Sequence, residues 1–153
     1  MKGIRATGEM HSRLVDSLYV EAMLLADEAR GYFDDAGKHE RDGLDALGRV
    51  SFSCESLKVT TRLMHIIAWL LTQRAVQTGE IRFADAMEPS RRLGEAPVSE
   101  PEMIERMPPC ARALIEASIE LYRRTARIEA GRTEPPHDTG PARRMLDRLS
   151  HAF

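Results

Sequence analysis

Three stretches of the chain place apolar residues at alternating three- and four-residue steps, the spacing that lines one side of a helix. No stretch alternates apolar and polar residues for long enough to predict a strand. The first predicted helix runs from Ser12, a candidate cap, to Ala36. Its seam is Val15, Leu18, Ala22, Leu25, Ala29, Tyr32 and Ala36, widened by Leu14 and Phe33 and backed by an acidic outer face of Asp16, Glu21, Asp27, Glu28, Asp34 and Asp35. Gly37 is the predicted stop. The second helix spans residues 44–78, about 50 Å at 1.5 Å per residue. Its seam is Leu47, Val50, Cys54, Leu57, Thr61, Met64, Ala68, Leu71 and Ala75, and Gly79 closes it. Ser99 and Glu102 have capping-box spacing ahead of a third helix. Pro108-Pro109 breaks that first turn, and a new run continues to Ala130 with the seam Ala111, Leu114, Ser118, Leu121, Thr125 and Ile128.

The second helix carries more apolar surface than one seam needs. Val59, Leu63, Ile66 and Leu70 form another stripe, each two residues past a member of the first, which at about 100° per residue puts it on nearly the opposite face. The reading is an internal seam plus an interface, with Val59, Leu63, Ile66 and Leu70 meeting a second copy or a partner, since large apolar patches rarely stay exposed on monomers. The plainer alternative is two intramolecular contacts. A polar row of Glu55, Lys58, Arg62 and His65, with Trp69 along it, lies between the stripes. Arg and Trp are enriched at binding hot spots, which makes Lys58, Arg62 and Trp69 candidate partner contacts. The competing reading is a solvated face with Trp69 under the connector that follows the helix.

The expected architecture is all-α: an antiparallel, up-down-up three-helix bundle with a long middle helix over residues 12–131, after a flexible N-terminus over residues 1–11. The connector of residues 80–98 is punctuated by Pro89, Gly94 and Pro97, and Ile81, Phe83 and Met87 predict a short helical turn folding back on the bundle. Residues 132–153 are expected to be a flexible tail, because Pro135-Pro136, Gly140 and Pro141 interrupt any packed element. The tail ends in a short basic amphipathic segment in which Met145, Leu146, Leu149 and Phe153 recur at helical spacing beside Arg143, Arg144 and Arg148. These residues are further candidates for partner binding.

Composition narrows the class. The chain has 153 residues, 42% hydrophobic and 30% charged, with aromatics at only 5%, so aliphatic side chains must fill the core. A net charge of −2 lacks the basic excess of a dedicated nucleic-acid binder. Cys54 and Cys110 have no metal-ligand spacing and are expected to be reduced, small apolar residues. Residues 1–10 contain no signal-peptide core, and the longest apolar run, Ile66 to Leu71, is far short of the ~20 residues a bilayer span needs. A cytoplasmic location is expected. No glycine-rich phosphate loop, HExxH or EF-hand pattern occurs. The acidic pairs Asp27-Glu28 and Asp34-Asp35 are adjacent and diverge on a helix. No enzyme activity, cofactor or metal is expected. His65 invites comparison with a phosphotransfer helix, and Arg91-Arg92 with Arg143-Arg144-Arg148 invites a DNA-associated alternative.

One string is specific enough to suggest a family. Ser56-Leu57-Lys58-Val59-Thr60-Thr61-Arg62-Leu63-Met64, then Ala68-Trp69-Leu70-Leu71, Gln73-Arg74-Ala75-Val76 and Gly79-Glu80, closely resembles the RcdA family, the regulators of CtrA degradation in alphaproteobacteria. Ala29, Tyr32, Phe33 and Gly37 in the first helix are similar too. The likeness covers roughly residues 12–130 and is strongest over 56–80. It implies a three-helix-bundle homodimer with a flexible C-terminal tail engaged by partners. It further implies an adaptor of the ClpXP protease, working with a CpdR-like adaptor and a PopA-like adaptor that responds to cyclic di-GMP, and delivering protein substrates such as CtrA.

Overall fold

The computed structural model describes residues 2–132 and 141–152. Helix is the only regular secondary structure among them: α1 (Lys2–Gly31), α2 (Lys38–Asp42), α3 (Ala46–Gln77), α4 (Phe83–Ala86), α5 (Pro101–Glu105), α6 (Pro109–Arg132) and α7 (Pro141–Ala152). The all-α class expected from the spacing is therefore observed. Asp45 caps α3 by accepting the Gly48 N–H at 2.7 Å. Beyond α3, Gly79 takes the left-handed backbone (φ 76°) that turns the chain out of the helix.

Two expected boundaries shift. Helix α1 starts at Lys2, ten residues ahead of the expected start at Ser12. No proline interrupts the first eleven residues, and Ser12 lies inside the helix, where its hydroxyl donates to Gln77 on α3 instead of capping. At its other end α1 passes into a π-helical turn, Tyr32–Ala36, closed by the Gly37 N–H donating to the Tyr32 carbonyl at 2.6 Å. A Cβ on Gly37 would stand 2.8 Å from that carbonyl oxygen, so the turn requires glycine there. The turn brings Tyr32 and Phe33 against Phe52 of α3, with the Phe33 and Phe52 rings edge-on at 5.4 Å. The Tyr32 hydroxyl donates to Glu40, and burial, reinforced by that carboxylate, raises its pKa.

The directions of the helices differ from the expected up-down-up order. Ser12 meets Gln77, Asp16 faces Arg74 at 3.7 Å and Phe33 meets Phe52, so α1 and α3 are antiparallel. Glu21 pairs with Arg124 and His11 lies near Arg132, so α1 and α6 are also antiparallel. It follows that α3 and α6 run parallel, as the Arg62–Ser118 hydrogen bond and the shared contact of Gly94 with His65 and Tyr122 show. Parallel neighbours need a long return, and residues 78–108 supply it: α4 forms the predicted short turn, then an extended strap passes back between α3 and α6.

The core lies where the three long helices meet. Val15, Leu18, Ala22 and Ala29 come from α1, Val59, Leu63, Ile66, Trp69 and Leu70 from α3, and Ala111, Leu114, Ile115 and Leu121 from α6. The seams predicted for α1 and α6 are thus the ones used, except that Leu14 and Ala36, assigned to the α1 seam, are exposed. Ala22, Ala111 and Ser118, all fully buried, let the backbones approach closely.

His11 sits at one end of this core, 8% exposed. Burial, helped by the Arg132 charge and opposed by a hydrogen bond with Gln73, lowers its pKa to about 4. The unfolded chain therefore binds this proton first as pH falls below the ordinary histidine value of about 6.5, and the folded chain does so only near the lowered value. Stability present at neutral pH should decline between those two values, by roughly 3 kcal/mol from this group. Urea unfolding of the wild-type chain and H11Q at a series of pH values checks this: the variant should show a flatter decline across that window, and equal declines would show that His11 does not carry it.

Candidate interaction surface

The polar row of α3 is buried, not presented to partners. Arg62 is 1% and Glu55 1% exposed. One Arg62 Nη donates to Ser118 Oγ at 3.2 Å, and the other donates to the Pro97 carbonyl at 3.0 Å and to Ser99 Oγ at 2.5 Å. Ser99 in turn donates to Glu55 at 2.5 Å, and Lys58 closes on the same carboxylate at 3.0 Å. Burial pulls the Arg62 guanidinium below its usual pKa, while the Glu55 charge acts in the opposite direction. A charge removed from water is tolerable only when fully partnered, and here the strap contributes two of the partners. Ser99 therefore does not make the predicted capping box; Glu100 occupies the cap of α5.

The other candidates on this row follow it inward. Trp69 is 3% exposed and belongs to the core. Lys58 is half-buried and engaged with Glu55. The His65 ring lies under the strap: a Cβ on Gly94 would stand 2.7 Å from its Nδ1, so only glycine can cross there. Tyr122 donates to the Gly94 carbonyl at 2.8 Å, and the Leu93 N–H donates to Glu129 at 2.7 Å, which pins the strap over the ring. An exposed phosphotransfer histidine this is not. Of the arginine pair in the connector, Arg92 faces Glu129 at 3.9 Å.

The two apolar stripes of α3 are exchanged relative to expectation. Val59, Leu63, Ile66 and Leu70, expected at an interface, are at most 3% exposed and form the internal seam. The stripe expected inside faces outward: Leu47, Val50, Leu57 and Met64 are each at least 60% exposed and Leu71 47%. Cys54, assigned to the inner seam, lies on this outer stripe and is exposed, as is Cys110. A shallow groove bordered by Arg41, Arg49, Val50, Cys54 and Leu57 continues the stripe toward α2.

The outer face of α1 adds to this surface. Val20, Met23 and Leu24 are exposed there. The register set by Ser12–Gln77 and Asp16–Arg74 brings Val20 and Met23 level with residues 66–70 of α3; Met23 lies on the side of α1 nearer that helix, and Val20 points away from the core. Among the described residues, every exposed large apolar side chain except Val98 lies on α1, α3 or α7. The outer side of α6 is instead polar, with Glu116, Glu120, Arg123 and Arg127 exposed. The exposed large apolar side chains thus gather on the outer sides of α1 and α3, away from the polar outer side of α6.

The predicted amphipathic segment is helix α7, and its Met145, Leu146 and Leu149 are all more than half exposed. The side chains of Arg143 and Arg144, and Phe153, lie outside the described residues, as does the tail segment 133–140. Among the described residues no helix is long and apolar enough to cross a membrane, and no three His, Cys, Asp or Glu side chains group as metal ligands.

Comparison with known proteins accords with this architecture. A family model described as a protein of unknown function, DUF1465, matches residues 6–153. The crystal structure of RcdA from Caulobacter crescentus CB15 is similar with a TM-score of 0.59 and 32% sequence identity, over 76% of this chain and 88% of that one. No curated protein matches. The chain belongs to the DUF1465 family, the RcdA-like family.

The exchange of faces has a direct energetic consequence. Ile66→Ala or Leu70→Ala should cost about 2–5 kcal/mol by emptying a packed core. Met64→Ala or Leu57→Ala on the outer stripe should change stability by no more than about 0.5 kcal/mol. Chemical denaturation of the four variants distinguishes them, and a large loss in the outer pair would restore the original assignment of the stripes.

Proposed function

We propose that the protein is a non-enzymatic adaptor of the RcdA kind that delivers cell-cycle regulatory proteins, CtrA-like, to the ClpXP protease. The observation that carries this reading is the apolar α1–α3 face on a bundle whose buried polar groups are already committed to holding the strap. A surface of this kind gains free energy by covering apolar area, roughly 25 cal/mol per Å², and needs no reacting group. An adaptor works in the same way: it raises the local concentration of cargo at the protease by binding both.

By resemblance, the partners are a CpdR-like adaptor acting with ClpXP, a PopA-like adaptor and the protein substrates, in the cytoplasm. The homodimer belongs to the same proposal, with its contact moved to the outer stripe of α3, where Leu47, Val50 and Leu57 stand free along the helix. The buried stripe of Val59, Leu63, Ile66 and Leu70 has no further surface to offer a second copy.

Affinity capture from cells tests the proposal. The wild-type chain should recover ClpX, a CpdR-like protein and a CtrA-like regulator. The pair Leu57→Glu with Met64→Glu should reduce that recovery by at least about tenfold, as expected when two central apolar contacts are lost. Charge reversal at Arg123 and Arg127 on the opposite face should leave it unchanged. Undiminished capture by the outer-stripe pair, or loss confined to the α6 variants, would contradict the assignment.

A further inference from the structure

We propose that the outer stripe of α3 pairs antiparallel with the same stripe of a second copy, in one register, and that this pairing masks the stripe from other partners. The pair rests on the homodimer reading above and adds to it a direction, a register and a competition.

The stripe is built to be covered. From Val50 to Leu71, about six turns, every exposed residue of α3 is uncharged. A helix face left in water ordinarily carries charged and polar residues. Threonine hydroxyls along it are satisfied within the helix: Thr60, Thr61 and Thr72 donate to the Ser56, Leu57 and Ala68 carbonyls at 3.1, 2.9 and 3.1 Å. The arginines that bound the stretch are engaged too, Arg49 with the Leu44 carbonyl and Arg74 with Asp16. Covering the stripe therefore buries no unpaired charge.

Side-chain size along the stripe identifies the occupant as a second copy. Large side chains recur every seventh residue, Val50, Leu57, Met64 and Leu71, and the positions between them hold Cys54, Thr61, Ala68 and Ala75, all small. A seven-residue repeat of this kind is a coiled-coil seam. Two copies laid antiparallel about a two-fold axis set Val50 on Ala75, Leu57 on Ala68, Met64 on Thr61 and Leu71 on Cys54 of the other copy, and the symmetry makes each contact twice. Each large side chain then fills the hollow over a small one, and the two backbones approach closely. Sliding the pair by one heptad either takes Val50 past the end of the other helix or sets Leu71 on Leu47. A parallel pair sets Leu57 on Leu57 and Ala68 on Ala68, large against large and hollow against hollow.

The contact is reversible. At 1.5 Å per residue and a helix diameter of about 10–12 Å, residues 47–71 offer about 400 Å² per copy, half of the roughly 800 Å² per partner of a stable interface. The chain is therefore single when dilute and paired when concentrated. Leu57 and Met64, on which capture of ClpX and regulators is proposed to depend, lie inside the pair, so a paired chain has no free stripe to offer them.

Disulfide trapping in the full chain reads the register without any partner protein. Cys54 and Cys110, both exposed, are replaced by serine, and L57C is combined with A68C. These two positions lie about 16 Å apart on one helix, too far to bridge within a chain. Oxidation should join two chains, in a proportion that rises with protein concentration. L57C with A75C, one heptad out of register, should link at least about tenfold less, and so should L57C alone, which only a parallel pair brings together. No linking by L57C/A68C, or equal linking by either control, would overturn the pair. Capture from cells then reads the competition. The L57C/A68C chain should recover ClpX and regulators when reduced, and at least about tenfold less when oxidised and linked, with recovery restored by reductant. Equal recovery in the two states would overturn the masking. If the wild-type chain recovers nothing, the adaptor proposal fails while the register links still decide the pair, so the two ideas fail separately.

Discussion

Arg62 is a guanidinium with no route to water, and its satisfaction constrains everything around it. Leaving such a charge unpartnered costs several kcal/mol, and so does leaving Glu55. The α3 and α6 helices between them provide only Ser118 and Lys58. The remaining partners, Ser99 Oγ and the Pro97 carbonyl, belong to the strap. The strap must therefore lie between α3 and α6, and a strap that returns along the bundle is what allows those two helices to run parallel. Gly94 over His65 and Tyr122 bonded to the Gly94 carbonyl extend the same seam toward the far end.

From this constraint the outer surface follows. With the polar row and the Val59–Leu70 stripe turned toward α1, α6 and the strap, the rotation of α3 is set, and Leu47, Val50, Leu57, Met64 and Leu71 can only face outward. The α1 register places Met23 level with the end of this stripe, between Met64 and Leu71. The sticky side of the molecule is thus a by-product of how its buried charges are satisfied. An adaptor of the RcdA kind would use such a side.

Much of this was legible in the residues, and the rest was not for identifiable reasons. The seam of α6 is unambiguous because its one apolar stripe lies opposite a charged face; in α1 the acidic residues mark the outer side, although Val20, Met23 and Leu24 share it. In α3 the two stripes have the same three-four spacing and lie on nearly opposite sides, so periodicity alone does not say which is inside. Size was the neglected signal: the inner stripe with its neighbours holds Ile66, Leu70 and Trp69, whereas the outer one includes Thr61, Ala68 and Ala75. Arg62 and Glu55 read as solvated because the partners that bury them, on the strap and α6, come from 35 to 56 residues away. The parallel relation of α3 and α6 was encoded in the length of the connector, too long for adjacent antiparallel helices. The family string over residues 56–80 was readable, although most of what distinguishes it is buried.

The most direct test is hydroxyl-radical footprinting of the protein assembled with ClpX, a CpdR-like adaptor and cargo. The account predicts that Leu57, Met64 and Leu71 become protected on assembly, while Tyr122 and the exposed end of Arg127 keep the reactivity they have in the free chain. Protection centred on α6, with the outer stripe of α3 unchanged, would contradict it.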